Sequence, residues 1–300
     1  KMLMLFASLS IVSSVIAEDY NPGADFHVDA AWNFNGDANF SDFTVIGGHS
    51  VLAGMDFDSD SLFEVLFVID ETLAPGGPDP GKLGVYLYES DGNGGYTHVW
   101  HFVTPDPGNS LPGMNYGDID GDGNHEIYFG VPPGGTNVGA DPSQTGGSWG
   151  TYIFEQGADG TFPTTPTMLW QHANGSTGLV ANDNFRPSSY QIADVDGDGK
   201  NELITTDRGE VHLTIDALVG NDLDDLATMS NEYYVGGDGS ELDGGGIYDV
   251  DVVDFDGDGL HEVWVNTWVT LVWQFTKLLA QMHIALRMTL IQCSLIMILE

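Results

Sequence analysis

A nine-residue acidic string recurs along this chain and restricts its fold more than any other feature. Three copies agree closely: Asp118-Ile-Asp120-Gly-Asp122-Gly-Asn124-His-Glu126, Asp194-Val-Asp196-Gly-Asp198-Gly-Lys200-Asn-Glu202 and Asp254-Phe-Asp256-Gly-Asp258-Gly-Leu260-His-Glu262. A fourth, Asp56-Phe-Asp58-Ser-Asp60-Ser-Leu62-Phe-Glu64, keeps the carboxylates but replaces both glycines with Ser59 and Ser61. Each copy carries carboxylates at positions 1, 3, 5 and 9. Two carboxylates about 4 Å apart repel by ~1 kcal/mol in water and ~4 kcal/mol at an effective dielectric of about 20. Four that converge therefore call for a cation. Hard oxygen donors in a flexible set suit Ca²⁺, which takes about six to eight of them. A solvated acidic turn without an ion is the plainer alternative, and three matching copies argue against it.

The string differs from an EF-hand loop, which closes with a bidentate Glu at position 12 between two helices. Position 12 here is Phe67, Phe129, Thr205 or Val265. The residues after position 9 are short aromatic and β-branched runs, such as Ile127-Tyr-Phe-Gly-Val131 and Val263-Trp-Val265, which read as strands. The acidic loop thus joins two strands, A and B. The first Asp falls at 56, 118, 194 and 254, spacings of 62, 76 and 60 residues. Such a period fits units of four short strands, as in propeller blades. Strand A reads as 113–119, 189–195 and 247–253. Strand C reads as Val85-Tyr-Leu-Tyr-Glu89 and Thr151-Tyr-Ile-Phe-Glu155, and strand D carries Trp100 and Trp170. Trp32 marks a further strand D with no A to C before it, which would complete a last blade.

Asp-x-Asp-Gly-Asp-Gly-x-x-Glu between two strands, repeated along a chain, resembles the FG-GAP/VCBS repeat, found in the calcium-bearing blades of integrin α-subunit β-propellers. The resemblance covers roughly residues 26 to 268. It implies an all-β fold: a β-propeller of four-stranded blades with calcium loops between strands A and B. About four blades are present, which reads as an incomplete propeller, since family members usually have about seven. It also implies three to four Ca²⁺ ions. Their side-chain ligands would be Asp56, Asp58, Asp60 and Glu64; Asp118, Asp120, Asp122 and Glu126; Asp194, Asp196, Asp198 and Glu202; and Asp254, Asp256, Asp258 and Glu262. Asn124, Lys200 and Leu260 would ligate through backbone carbonyls. The Asp56 loop departs from the pattern: without glycines at positions 4 and 6 its backbone turn is costlier.

The chain has 300 residues and a formal charge of −38. Four Ca²⁺ would leave about −30, a surface that repels nucleic acid and does not favour membrane contact. Hydrophobic residues make up 42%, which is enough for a core. Residues 1–17 read as a signal peptide: Lys1, an apolar run, then Val15-Ile-Ala17 before Glu18. Secretion or display at the cell surface follows, in keeping with weak calcium sites. Cys293 is the only cysteine, so no intrachain disulfide can form. Residues 18–268 form the propeller segment. From Val269 to Glu300 there is no Gly, Asp, Asn or Pro, so composition sets this tail apart: it reads as a non-native tail, with an amphipathic helix and a membrane anchor interrupted by Lys277, His283 and Arg287 as the alternatives, although Thr270-Leu-Val-Trp-Gln-Phe275 can serve as a strand C.

His125 and His261, at position 8, read as surface or packing residues rather than zinc ligands. Trp100 and Trp170 recur at one blade position, which favours packing between blades over carbohydrate platforms. No catalytic motif is evident: Gly48-His-Ser-Val-Leu52 fails Gly-x-Ser-x-Gly, and His125-Glu126 and His261-Glu262 lack the second His of a zinc protease. The expectation is a secreted module that binds an extracellular protein or carbohydrate ligand, with calcium in a structural role. Loops 131–150 and 218–230 are the candidate ligand surfaces. One alternative is a propeller-type enzyme such as a polysaccharide lyase, disfavoured by the scarcity of basic residues. Another is a structural module of a larger surface protein.

Overall fold

A computed structural model describes residues 48, 50–70, 82–105, 112–132, 149–171, 186–208, 212–223, 228–236 and 246–267, and the backbone of 273–278 and 285–290. The chain divides into two compact units, Lys1–Asn33 and Phe34–Glu300, and every described residue lies in the second. The Trp32 strand and the signal segment fall outside the described residues.

Sixteen strands form four antiparallel sheets of four, each a simple meander. Blade I is β1 (Val51–Met55), β2 (Glu64–Asp70), β3 (Leu83–Ser90) and β4 (Tyr96–Val103). Blade II is β5 (Met114–Gly117), β6 (Glu126–Val131), β7 (Gly150–Glu155) and β8 (Met168–Trp170). Blade III is β9 (Pro187–Ala193), β10 (Glu202–Asp207), β11 (His212–Val219) and β12 (Thr228–Gly236). Blade IV is β13 (Ile247–Val253), β14 (Glu262–Thr267), β15 (Trp273–Leu278) and β16 (Ala285–Leu290). No helix is found among the described residues. The sheets are blades of an incomplete propeller and do not close on one another. The fourth sheet runs beyond residue 268: β15 pairs with β14 through Val263↔Phe275 and Val265↔Trp273, and β16 pairs with β15. The composition break therefore does not mark the end of the sheet. A run without turn residues still supplies two strands, because pairing with an existing edge satisfies backbone groups whatever the side chains.

The second strand of each blade explains the arrangement. Glu64–Asp70, Glu126–Val131 and Glu202–Asp207 are buried almost throughout, as strands covered on both faces are; the first two are largely apolar, whereas Glu202–Asp207 buries Thr205, Thr206 and Asp207 as well. Alternate side chains serve different neighbours. Ile127, Phe129 and Val131 join Leu66, Val68, Leu87 and Trp100 in a core between blades I and II. Tyr128, between them in sequence, faces Tyr190, Leu203 and Met229 in a core between blades II and III. Ile204, Leu213, Val250, Val263 and Val265 form the next core. Each buried side chain of this size stabilises the fold by about 1.5–3 kcal/mol, so blade-to-blade packing dominates the stability.

The first strands of successive blades also meet: β9 lies against both β5 and β13. Glycine permits that approach. A Cβ added at Gly117 would stand 2.9 Å from the Ile192 side chain. Trp100 packs edge-on against Phe154 of blade II at 4.9 Å, and its indole N–H donates to the Pro163 carbonyl at 2.8 Å. Trp170 is buried in the core between blades II and III. Both tryptophans thus pack between blades, as their repeated position suggests. Among the described residues no helix is long and apolar enough to cross a membrane.

Candidate metal centres

Each acidic string forms the turn between the first and second strands of its blade, with position 9 as the first residue of the second strand: Glu64, Glu126, Glu202 and Glu262. In the Asp118 loop, Asp118 Oδ1 accepts from the Gly121 N–H at 2.6 Å and Asp118 Oδ2 from Gly123 at 3.0 Å. Asp120 Oδ1 accepts from Asp122 N–H at 3.2 Å, and Asp122 Oδ1 from Asn124 N–H at 2.7 Å. Glu126 Oε2 accepts from Ile119 N–H at 2.8 Å. The loops at Asp194 and Asp254 repeat these bonds within about 0.3 Å. Gly121 and Gly123 have φ of +75° and +92°, so the wrap of the chain around its first Asp needs left-handed backbone at both.

The Asp56 loop makes the same turn with the wrong residues. Ser59 and Ser61 adopt φ of +63° and +73°, a conformation costing an L-residue roughly 1–2 kcal/mol. Ser61 N–H still reaches Asp56 Oδ2, at 3.2 Å. Asp56 Oδ1, however, is buried without a hydrogen-bond partner, where its counterparts accept from the position-4 glycine.

The arrangement brings the expected carboxylates together. One oxygen from each of Asp194, Asp196, Asp198 and Glu202 lies within 4.8 Å of the others. The same holds for Asp56, Asp58 and Asp60, and for Asp118, Asp120 and Asp122. The position-9 glutamates are nearly inaccessible, and Glu126 Oε1 and Glu262 Oε1 have no hydrogen-bond partner. Buried acceptors are normally paired, so orphaned carboxylate oxygens within an acidic cluster suit a metal ion. Burial pushes the Glu64 carboxyl up to about 7 and the Glu202 carboxyl up to about 8. Burial, and then Glu155, push Glu126 well above the usual carboxylate range. Tyr128 O–H donates to Glu126 Oε2 at 2.7 Å, and burial raises its own pKa.

Lys200, at position 7, does not put its charge into the cluster. Its ammonium donates to the Gly220 carbonyl at 2.7 Å. Asn124 and Leu260 hold the same loop position, with their N–H groups bound to Asp122 and Asp258.

Sequence reasoning missed two glutamates. Glu89 on β3 pairs across the sheet with Glu64, and Glu155 on β7 pairs with Glu126. Asp58, Glu64 and Glu89 cluster within 4.8 Å, as do Asp120, Glu126 and Glu155. The signal was visible, since strand C ends in Glu in both units where it could be aligned.

The position-8 residues tie each loop to the one before. Asn201 Nδ2 donates to the Asp118 carbonyl at 2.7 Å, and His261 Nδ1 lies 2.9 Å from the Asp194 carbonyl. His125 stands edge-on to Phe57 at 5.8 Å. Packing is thus the role of both histidines. Position 2 plugs the next interface: Ile119 and Val195 are 2% and 6% exposed, whereas Phe255, in blade IV, is 70% exposed. Between the Asp118 and Asp194 loops lies a cavity of about 350 Å³, lined by residues including Asp120, Lys200, Asn201, Leu218 and Asn221.

Comparison with curated proteins gives no match. Residues 56–129 match the family model described as FG-GAP-like repeat, a stretch taking in the Asp56 and Asp118 loops and the strands around them. The loops at Asp194 and Asp254 share that geometry outside the matched segment. The chain therefore carries an FG-GAP-like repeat in a propeller-type array of blades.

Proposed function

We propose that this is a secreted or cell-surface module that binds Ca²⁺ at its blade loops and uses the stiffened propeller to hold an extracellular ligand. The observation that carries the calcium reading is the repeated cage. In each loop, backbone N–H groups fix the carboxylates of positions 1, 3 and 5 and a buried position-9 glutamate, and in the Asp194 loop oxygens of all four carboxylates lie within 4.8 Å of one another. Asp194, Asp196, Asp198 and Glu202, with the Lys200 carbonyl, would hold one ion. The equivalent residues of the other loops would hold the rest, giving three to four ions per chain. Bound calcium would supply charge neutralisation and cross-linking of the turn. The residues position the ion and perform no chemistry on it.

The ligand, protein or carbohydrate, would contact inter-strand loops: loop 218–230 of blade III lies at the end that bears the metal turns, and loop 131–150, which joins β6 to β7, falls largely outside the described residues. The cavity between the Asp118 and Asp194 loops supports this, because its size and mixed polar lining suit one side chain or one sugar ring. Adhesion through such a surface would depend on calcium, since Asp120 both lines the cavity and belongs to a metal cluster.

Equilibrium dialysis against ⁴⁵Ca²⁺ tests the calcium reading. Uptake of three to four ions per chain, reduced by one on Asp196→Ala, is the expected result. No uptake at millimolar Ca²⁺ would overturn it.

A further inference from the structure

The four loops share a backbone, but their surroundings differ on one side. In blade II, Glu155 stands directly across the sheet from Glu126. In blade I, Glu89 stands across from Glu64 in the same register. In blade III the residue opposite Glu202 is Ala217. Blades I and II thus carry a fifth carboxylate where blade III has a methyl group.

The fifth carboxylate is aimed at the loop. Oxygens of Asp120, Glu126 and Glu155 fall within 4.8 Å of one another, and Asp120 also clusters with Asp118 and Asp122. Glu126 is 0% exposed, and its Oε1 has no hydrogen-bond partner; Glu155 Oε2 is likewise buried and without one. Two carboxylates oriented in this way set acceptor against acceptor, a contact that only a proton shared between Glu126 and Glu155 or a cation resolves. Tyr128 O–H and Ile119 N–H are both spent on the other oxygen, Glu126 Oε2. The backbone holds Glu155 in place: its N–H donates to Thr167 Oγ1 at 3.0 Å.

We propose that Glu155 is an additional metal ligand, contributed by the third strand of blade II, so that the chain holds two classes of cation site. This rests on the calcium reading above and deepens it. The site of blade II has five carboxylates and spans two strand connections. The site of blade III has four, all from one loop. Affinity at oxygen-ligand sites follows the count of charged ligands, so the site in blade II is the tighter of the two kinds. In blade I the strained Ser59–Ser61 turn works against affinity. An ion held by Glu155 also clamps β7 to the β5–β6 turn, whereas one held in blade III fixes the turn alone.

The test is Ca²⁺ titration calorimetry of the full chain with Glu155→Gln, combined with melting in chelator. Glutamine keeps the shape and removes one charge. The expected result is that one binding event weakens by about tenfold or more, while the others keep their affinities. In chelator the variant should melt no lower than the parent chain, because the amide oxygen of glutamine keeps the contact with Glu126. Ala217→Glu is the converse, and should tighten the blade III site. Normal calcium uptake with a Glu155→Gln titration that superimposes on the parent's would overturn the fifth-ligand assignment alone. So would a variant that melts lower in chelator and loses affinity at every site, since that marks a packing role. Absence of uptake by the parent chain would overturn the calcium reading and this inference with it.

Discussion

Asn201 donates its side-chain N–H to the backbone carbonyl of Asp118 at 2.7 Å, so the eighth residue of one acidic loop holds the first residue of the loop before it. His261 and Asp194 repeat the relationship one blade further on, at 2.9 Å. Leu223 N–H adds a bond to Asp120 Oδ2 at 2.9 Å. Ordering one loop therefore helps to order its predecessor. Asn201→Ala removes a bond worth about 1 kcal/mol. It should lower stability in urea by about that amount and weaken Ca²⁺ binding at the Asp118 loop, although Asn201 is not a ligand there. Unchanged affinity at that loop would show that the blades bind independently.

Ser59 and Ser61 are the two non-glycine residues at positive φ among those described. Replacing both with glycine relieves roughly 1–2 kcal/mol of strain at each, offset in part by glycine's greater chain entropy when unfolded. The double variant should gain about 1 kcal/mol in urea denaturation and bind Ca²⁺ more tightly at the Asp56 loop. A loss of stability would mean that the serine side chains make contributions the turn geometry does not account for.

The buried glutamates give the metal-free chain a pH dependence of definite sign. Burial raises Glu64 to about 7 and Glu202 to about 8, from an ordinary value of 4.5. Between these limits the native state holds protons that the unfolded chain has released, so stability falls as pH rises. The contribution is complete below about 4.5 and lost as pH passes through 7 to 8. Metal-stripped protein should therefore melt at a lower temperature at pH 8.5 than at pH 5. Saturating Ca²⁺ should flatten the profile, because bound glutamates remain ionised. Glu202→Gln should flatten part of it without metal, which separates this effect from general repulsion among surface carboxylates. A melting temperature that climbs from pH 5 to pH 8.5 without metal would contradict the assignment.

Much of this architecture was legible in the residues, for identifiable reasons. The acidic loops announce themselves because a tight turn around converging carboxylates demands Asp and Gly at fixed positions. The second strands are legible because burial on both faces leaves continuous runs such as Leu66-Phe-Val68 and Ile127-Tyr-Phe129. The two tryptophans gave the phase of the fourth strand, since Trp100 and Trp170 fill one interface position. Glu89 and Glu155 were not recognised as site residues, although both strands were placed correctly, because a cross-strand neighbour depends on register and one sequence does not state register. The β15 strand was anticipated within 270–275, but β16 was obscured by composition. Edge pairing requires backbone groups rather than a particular set of side chains, so a segment unlike its repeats can still extend a sheet. The links from Asn201 and His261 to the preceding loop join residues more than sixty positions apart, beyond any local pattern.

If the acidic loops are calcium cages built into the fold, each bound ion adds to its stability. A ligand that binds only the folded state stabilises it by RT ln(1 + [L]/Kd), about 2.7 kcal/mol per site at 100 times Kd. Several such sites together rival the roughly 5–15 kcal/mol of net stability of an ordinary domain. Differential scanning calorimetry of the chain in excess Ca²⁺ and in chelator is the most direct measurement. The melting temperature should drop sharply on chelation and be restored better by Ca²⁺ than by Mg²⁺, which demands octahedral geometry and holds its waters. Replacing Asp120, Asp196 and Asp256 together by Ala should reproduce the chelated curve. The same melting curve in calcium and in chelator would contradict the account.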